Sequence, residues 1–316
     1  MPKFFQGDIS KDVISGVLIT SLIFYAAAYI PFIGFFCTLF IPVTILFYRS
    51  KLGRKSGAII LAVTAVFMVI VLGEFTIELS FFLELLLLGF ILSELFELNI
   101  SVEKTIFCAW AAVFFSWLVG LFFYSNFVNA GMEALITDYV GKNLELTIAL
   151  YEKMDVPEKN IQMLVGSLET IKYVLVRIIP SLVAVSILFF AWTSLLCAKP
   201  ILKKKNLFYP DFGRLNHWKA PEVIVWGVIG CGIMLIMPTN FIKVAGLNGM
   251  FILMTIYFFQ GIAIVSYFFE KKQFPILLKI LLYSFIALQF FVLFFIIGLG
   301  LFDTWLNFRK LGDENS

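Results

Sequence analysis

Charged residues are scarce in this sequence: they make up 14% of its 316 residues, against about 25% in soluble domains. Hydrophobic residues make up 61%. A water-soluble protein could not accommodate that surplus without large apolar patches on its surface. The apolar residues occur in long runs without polar alternation, which argues against a transmembrane barrel. The sequence therefore predicts an all-α, polytopic transmembrane helix bundle, which we treat as a single integral membrane domain over residues 1–316.

Residues that carry catalytic or metal chemistry are also few. Histidine occurs once, as His217, and the four cysteines lie in apolar runs with no Cys-x-x-Cys pair. The sequence has no His-Glu-x-x-His, Walker A or Gly-x-Gly-x-x-Gly motif. We therefore expect no enzymatic activity, no catalytic residue, no cofactor and no metal ion. With 24 basic and 21 acidic residues, the charge balance is too even to indicate a nucleic-acid partner.

The apolar runs predict about nine membrane spans, with eight as the alternative count. A spanning helix needs about 20 apolar residues. We expect a helix break at Pro31, an interruption at Pro42 and a turn bracketed by residues 238–240 and 247–249. We interpret the first span as a retained helix rather than a cleaved signal. The predicted spans are residues 13–30, 32–48, 56–73, 75–96, 105–125, 173–197, 223–237, 250–269 and 276–302.

Three basic clusters indicate the orientation of the spans. They lie at residues 49–55, 199–205 and 270–272. Because cytoplasmic loops are enriched in lysine and arginine, these clusters predict a cytoplasmic N-terminus in a multi-pass protein of the cytoplasmic (inner) membrane. Residues 199–222 are then a cytoplasmic connector. Nine spans would place the tail outside although it carries Arg309 and Lys310, so the side of the tail stays open.

Residues 126–172 form the longest polar-rich interval. Apolar residues recur there at helical spacing from Met132 to Val140, with charges between them. This pattern predicts an extramembrane amphipathic helical insert, lying on the membrane surface or packed against the bundle. Asp155, Pro157 and Glu158 form a helix-start pattern. The helix that begins there is expected to continue without a break into the sixth span.

Three ionisable residues fall inside or at the ends of predicted spans. Glu84 lies near the middle of the fourth span, where an unpaired charge costs roughly 3 kcal/mol. Glu78 lies nearer the outer end of the same span, and Arg177 lies in the outer half of the sixth. We predict that Glu84, Arg177 and Glu78 form a candidate intramembrane polar site. It is either a cavity for a small solute or proton, or one charge pair that joins two helices.

Uncharged polar residues in the last three spans or their turns are Gln260, Gln289, Asn240 and Asn248. We expect hydrogen bonds between helices to account for most of them.

Two segments carry a resemblance to a known family. They are Asn216-His-Trp218-Lys-Ala-Pro221-Glu222-Val-Ile-Val-Trp226 and the ending Gly298-Leu-Gly300-Leu-Phe-Asp303-Thr-Trp305-Leu-Asn-Phe308-Arg309-Lys310. Both resemble the YybS-like family of uncharacterised bacterial polytopic membrane proteins, whose length and helix count agree across the chain. The insert at residues 126–172 is a departure from that pattern. The residues that carry the resemblance are Trp218, Pro221, Glu222, Asp303, Trp305 and Arg309.

The amino-terminal half is also distantly similar to the substrate-binding membrane subunits of energy-coupling-factor transporters. The likeness rests on a first helix, a proline break, a short second helix and the segment Leu52-Gly53-Arg54-Lys55-Ser56-Gly57-Ala58. It is an analogy of fold, which does not transfer function or ligand residues. The favoured hypothesis is nevertheless small-solute binding or transport. Because the sequence has no nucleotide-binding motif, a separate energising partner would be needed.

The alternative is a non-transport membrane scaffold or assembly protein. Its docking surfaces would be residues 126–172 and 199–226. We expect the lipid bilayer as a partner of the spans in both cases, and no nucleic acid. A membrane or energising protein partner and an unidentified small-molecule ligand stay open.

Overall fold

Apolar runs become helices here because lipid offers no hydrogen-bond partner to the backbone, and a helix satisfies its own N–H and C=O groups. The structure is a computed structural model that describes residues 9–30, 33–73, 76–154 and 156–310. These residues contain no strand, and their α-helices are α1 Ile9–Tyr29, α2 Ile33–Leu52, α3 Arg54–Leu72, α4 Ile77–Glu97, α5 Val102–Phe127, α6 Met132–Lys153, α7 Glu158–Lys204, α8 Ile224–Ile236, α9 Asn240–Lys271, α10 Ile276–Leu288 and α11 Phe290–Leu306.

The predicted polytopic helix bundle is confirmed, and the number of spans differs from nine. In the described part of the chain, seven helices are long and apolar enough to cross a membrane, or eight if α10 and α11 form one span. Those two helices meet at a bend of 103°. The predicted span over residues 223–237 is the 13-residue α8. At 1.5 Å per residue, α8 is about 20 Å long, which is short for a hydrocarbon core of about 30 Å.

One predicted interruption is wrong, one is shorter than expected and a third lies outside the described residues. Helix α2 continues through Pro42. The expected turn is present only at residues 237–239, between α8 and α9, whereas residues 247–249 belong to α9. Gly249 allows a close contact between these two helices. A Cβ atom on Gly249 would lie 2.6 Å from Cys231 Sγ of α8. The break expected at Pro31 falls on a residue that the structure does not describe.

Helix α7 is a 47-residue helix that begins at Glu158, directly after Pro157. It therefore runs from the predicted insert through the sixth predicted span without interruption, as the sequence indicates. The capping role expected of Asp155 lies outside the described residues.

The chain divides into two compact units. The first comprises Met1–Ile179 and Ser186–Asp211, and the second comprises Pro180–Val185 and Phe212–Ser316. The boundary at Asp211 lies within the predicted connector. That the whole chain forms one integral membrane domain stays a prediction.

Helix α6 packs against other helices of the first unit through its apolar face. Ile136 and Val140 of α6 and Val176 of α7 form a buried cluster, against which Leu121 of α5 also packs. Of the two arrangements left open by the sequence, the structure shows α6 packed on other helices. The extramembrane position of α6 stays a prediction, since it concerns the membrane.

Candidate functional site

The carboxyl group of Glu84 lies partly buried in the first unit. Helix α4 places it seven residues after Ile77, or about 10 Å into the helix. The Ser116 side chain of α5 forms a hydrogen bond with this carboxyl group. Its Oε2 atom is buried and has no hydrogen-bond partner. A buried acceptor without a donor is costly and calls for an additional partner, such as water, a proton or a ligand.

Aromatic rings border the α4 face that carries Glu84. Phe81 precedes Glu84 by three residues, so the two side chains lie on the same face of the helix. The Phe81 ring lies 5.8 Å from the buried ring of Phe190 in α7. On α5, Trp117 follows Ser116 and stacks on Phe114 at 6.0 Å. We call the group of Glu84, Ser116, Phe81 and Phe190 the Glu84 site.

Glu78, the second predicted site residue, lies at the start of α4 and contacts α6. Thr76 caps this helix by accepting a hydrogen bond from the backbone N–H of Leu79 at 3.2 Å. The Tyr139 side chain forms hydrogen bonds with Glu78 and Asn143. Burial and the neighbouring Glu78 carboxylate raise the pKa of Tyr139 above its usual value. Glu78 thus contributes a hydrogen bond between the beginning of α4 and α6.

Arg177, the third predicted site residue, contacts its own helix. Its guanidinium carbon lies 3.5 Å from the centre of the Tyr173 ring. Its Nη1 atom donates to the Tyr173 carbonyl oxygen at 3.1 Å. The structure therefore shows Ser116, which the sequence interpretation did not select, as the hydrogen-bonding partner of Glu84. That Glu84, Arg177 and Glu78 form one functional site stays a prediction.

A charge network at the ends of α2 and α4 was not predicted. The side chain of Arg49 is 2% exposed and pairs with Glu94 at 2.6 Å and with Glu97. Its Nη1 atom also donates to the Ser93 carbonyl oxygen at 3.1 Å. Arg54, at the start of α3, lies 3.5 Å from Glu94. The sequence interpretation used these arginines only to assign sidedness, yet they hold three helix ends together.

The second unit contains a buried polar network around Asp303 and Arg309. The two side chains are 0% exposed and pair at 2.8 Å. Gln260 of α9 donates to the same Asp303 oxygen at 3.3 Å and accepts from the backbone N–H of Ala220 at 3.1 Å. The prediction that Gln260 bonds between helices is confirmed.

Arg309 also binds the backbone of the connector. Its Nη1 atom donates to the carbonyl oxygens of Asn216 at 2.8 Å and Trp218 at 3.0 Å. Lys219 donates to the side chain of Asn307 at 2.6 Å. We call Gln260, Asp303, Arg309 and the backbone of residues 216–220 the C-terminal network. It brings together three of the residues that carry the family resemblance: Trp218, Asp303 and Arg309.

The remaining resemblance residues lie outside this network of bonds. Pro221 and Glu222 are exposed and precede α8 by one turn, in which the Pro221 carbonyl oxygen accepts from Ile224 at 3.0 Å. Trp305 is 58% exposed on α11. Such an exposed tryptophan is typical of side chains that anchor a helix at the membrane surface.

Comparison with known proteins supports a membrane protein. A family model described as "predicted membrane protein (DUF2232)" matches residues 18–304. No curated protein and no solved structure matches the chain. The match covers α2–α10 entirely and most of α1 and α11. The chain therefore belongs to the DUF2232 family of membrane proteins.

Proposed function

We propose that this protein binds a small solute at the Glu84 site and moves it across the membrane with a separate energising partner. The role is not enzymatic. The observation that carries the proposal is the buried Oε2 atom of Glu84, which has no hydrogen-bond partner. Intramembrane carboxyl groups are expensive and commonly mark solute or proton pathways. A solute with a hydrogen-bond donor would satisfy this atom.

The orientation in the membrane is part of the same proposal. The pairing of Arg49 with Glu94 brings the end of α2 and the end of α4 to the same level. This supports a basic loop at residues 49–55 that lies on one side of the membrane, which we propose is the cytoplasmic side of the inner membrane. The N-terminus then faces the cytoplasm.

The finer relationships suggested by the sequence also belong to this proposal. They are membership of the YybS-like group and distant kinship with the binding subunits of energy-coupling-factor transporters. Both would explain why solute binding and energy supply reside on different chains.

Native mass spectrometry of the protein purified from its own membrane tests solute binding even when the solute is unidentified. We expect a small-molecule adduct on the unaltered protein. We expect Glu84→Gln to reduce its occupancy about tenfold or more, because a hydrogen bond to a charged group contributes about 1.5–3 kcal/mol. Ser116→Ala should reduce it less, and it provides a second variant should Glu84→Gln fold poorly.

Glu145→Gln is the matched control, because it alters the same residue type at an exposed position of α6. It should keep the adduct. Absence of any adduct, or equal occupancy in Glu84→Gln and Glu145→Gln, would contradict the proposal.

A membrane scaffold is the second candidate, and one observation favours it. Large apolar side chains are exposed on the hairpin of α6 and the first part of α7, including Leu146 at 63%, Leu150 at 57% and Met163 at 60%. Exposed apolar surface outside lipid commonly marks a protein contact. In this alternative the docking surfaces are residues 126–172 and 199–226. An unaltered protein without an adduct would favour the scaffold.

A further inference from the structure

We infer that the solute at the Glu84 site is a small organic cation, such as a protonated amine; this inference rests on the solute-binding function proposed above. The first reason is charge. A carboxylate withdrawn from water is stabilised most by a partner of opposite charge that also donates a hydrogen bond. The unsatisfied Oε2 atom offers one acceptor position for such a group.

Three basic residues of the first unit form ion pairs with acids other than Glu84. Arg49 pairs with Glu94 at 2.6 Å, Lys51 with Asp12 at 2.7 Å, and Lys142 with Asp138 at 2.8 Å. The carboxyl group of Glu84 instead forms a hydrogen bond with the neutral hydroxyl group of Ser116. A neutral donor satisfies part of the carboxyl group and brings no opposite charge to it. A cationic ligand would supply both the charge and the second hydrogen bond.

The second reason is the aromatic border of the site. Phe81 lies one turn before Glu84 on α4, on the same face of the helix. Its ring packs against Phe190 at 5.8 Å with an interplanar angle of 64°. Aromatic rings attract cations within about 6 Å of a ring face, and a carboxylate repels an anion. A solute that meets both the acid and these rings is therefore a compact cation with an apolar body.

Three probes have a similar size and shape and differ in charge. They are benzylammonium, benzyl alcohol and benzoate. We expect benzylammonium to raise the melting temperature of the detergent-solubilised protein, because a ligand that binds only the folded state stabilises it. Its Kd should be about tenfold lower than that of benzyl alcohol, since a charged hydrogen bond replaces a neutral one. Benzoate should have no stabilising effect.

Variants separate binding at this site from partition into the detergent. The benzylammonium shift should disappear in Glu84→Gln, weaken in Ser116→Ala and persist in the exposed control Glu145→Gln. An equal shift with benzyl alcohol or benzoate, or no shift with benzylammonium, would overturn the cation assignment. If the native adduct nevertheless persists and depends on Glu84, solute binding stands and only the class of solute is wrong. If neither an adduct nor a shift in melting temperature is seen, both the solute-binding proposal and the cation assignment fail.

Discussion

Replacement of Arg309 by glutamine is expected to lower the free energy of unfolding by about 3–5 kcal/mol. The substitution would leave the fully buried Asp303 carboxylate without its cation. It would also remove the donor to the carbonyl oxygens of Asn216 and Trp218, which lie more than 90 residues earlier in the chain. A buried pair stabilises little in total, but loss of one partner leaves an uncompensated charge, and that loss is costly.

The loss can be measured by titration with SDS in mixed micelles, followed by far-UV circular dichroism. Lys310→Gln is the matched control, because it removes a neighbouring positive charge that is exposed. It should change the unfolding free energy by less than about 0.5 kcal/mol. Asp303→Asn combined with Arg309→Gln should be less harmful than the sum of the single changes. Equal effects of Arg309→Gln and Lys310→Gln would show that the C-terminal network does not stabilise the fold.

Replacement of Gly300 by alanine is expected to destabilise the contact between α9 and α11 by about 3 kcal/mol. A Cβ atom at this position would overlap the carbonyl oxygen of Tyr257 and lie 2.9 Å from the backbone nitrogen of Gly261. Because both neighbours are backbone atoms, neither can move aside by a change of rotamer. Small residues allow such close helix contacts in membrane proteins.

Gly298 supplies the control on the same helix, because a Cβ atom there would meet nothing within 4 Å. In the same SDS titration, Gly298→Ala should be neutral or slightly stabilising, since alanine favours helix more than glycine does. A comparable loss in both variants would mean that helix propensity or lipid contact, rather than the α9–α11 approach, determines the effect.

The apolar runs were sufficient to predict a helical membrane protein. In lipid, such a run can satisfy its backbone hydrogen bonds by forming a helix. The runs were less informative about where helices end. Pro238 follows α8 so soon that the predicted seventh span is a short helix. Residues 247–249 contain an asparagine and a glycine and suggest a turn. Within the helix Asn248 instead donates to the Val244 carbonyl oxygen at 2.8 Å, and it accepts from the backbone N–H of Ser181 in α7 at 3.1 Å.

The candidate site was partly visible in the sequence. Glu84 was identified because a carboxyl group in an apolar run is costly wherever the chain places it. Ser116 was missed because a mid-helix serine commonly bonds to its own backbone, and its neighbour depends on how α4 and α5 align.

The C-terminal network was likewise visible only in pieces. Asp303 and Arg309 were selected by resemblance, and Gln260 was selected as a polar residue inside a span. Their pairing depends on the turn at Asn307, which adopts a positive φ of 41° and directs Arg309 back toward Asp303. Spacing alone did not reveal that geometry.

The central claim is that a solute reaches the Glu84 site, and cysteine labelling at Ser116 tests it most directly. In a background with the four native cysteines replaced by alanine, Ser116→Cys introduces a thiol beside Glu84. Val113→Cys, one turn earlier on the same helix and fully buried, is the control. We expect a small water-soluble methanethiosulfonate to modify Ser116→Cys but not Val113→Cys, and benzylammonium to slow that modification. Ser116→Cys that reacts no faster than Val113→Cys would contradict a solute-accessible site.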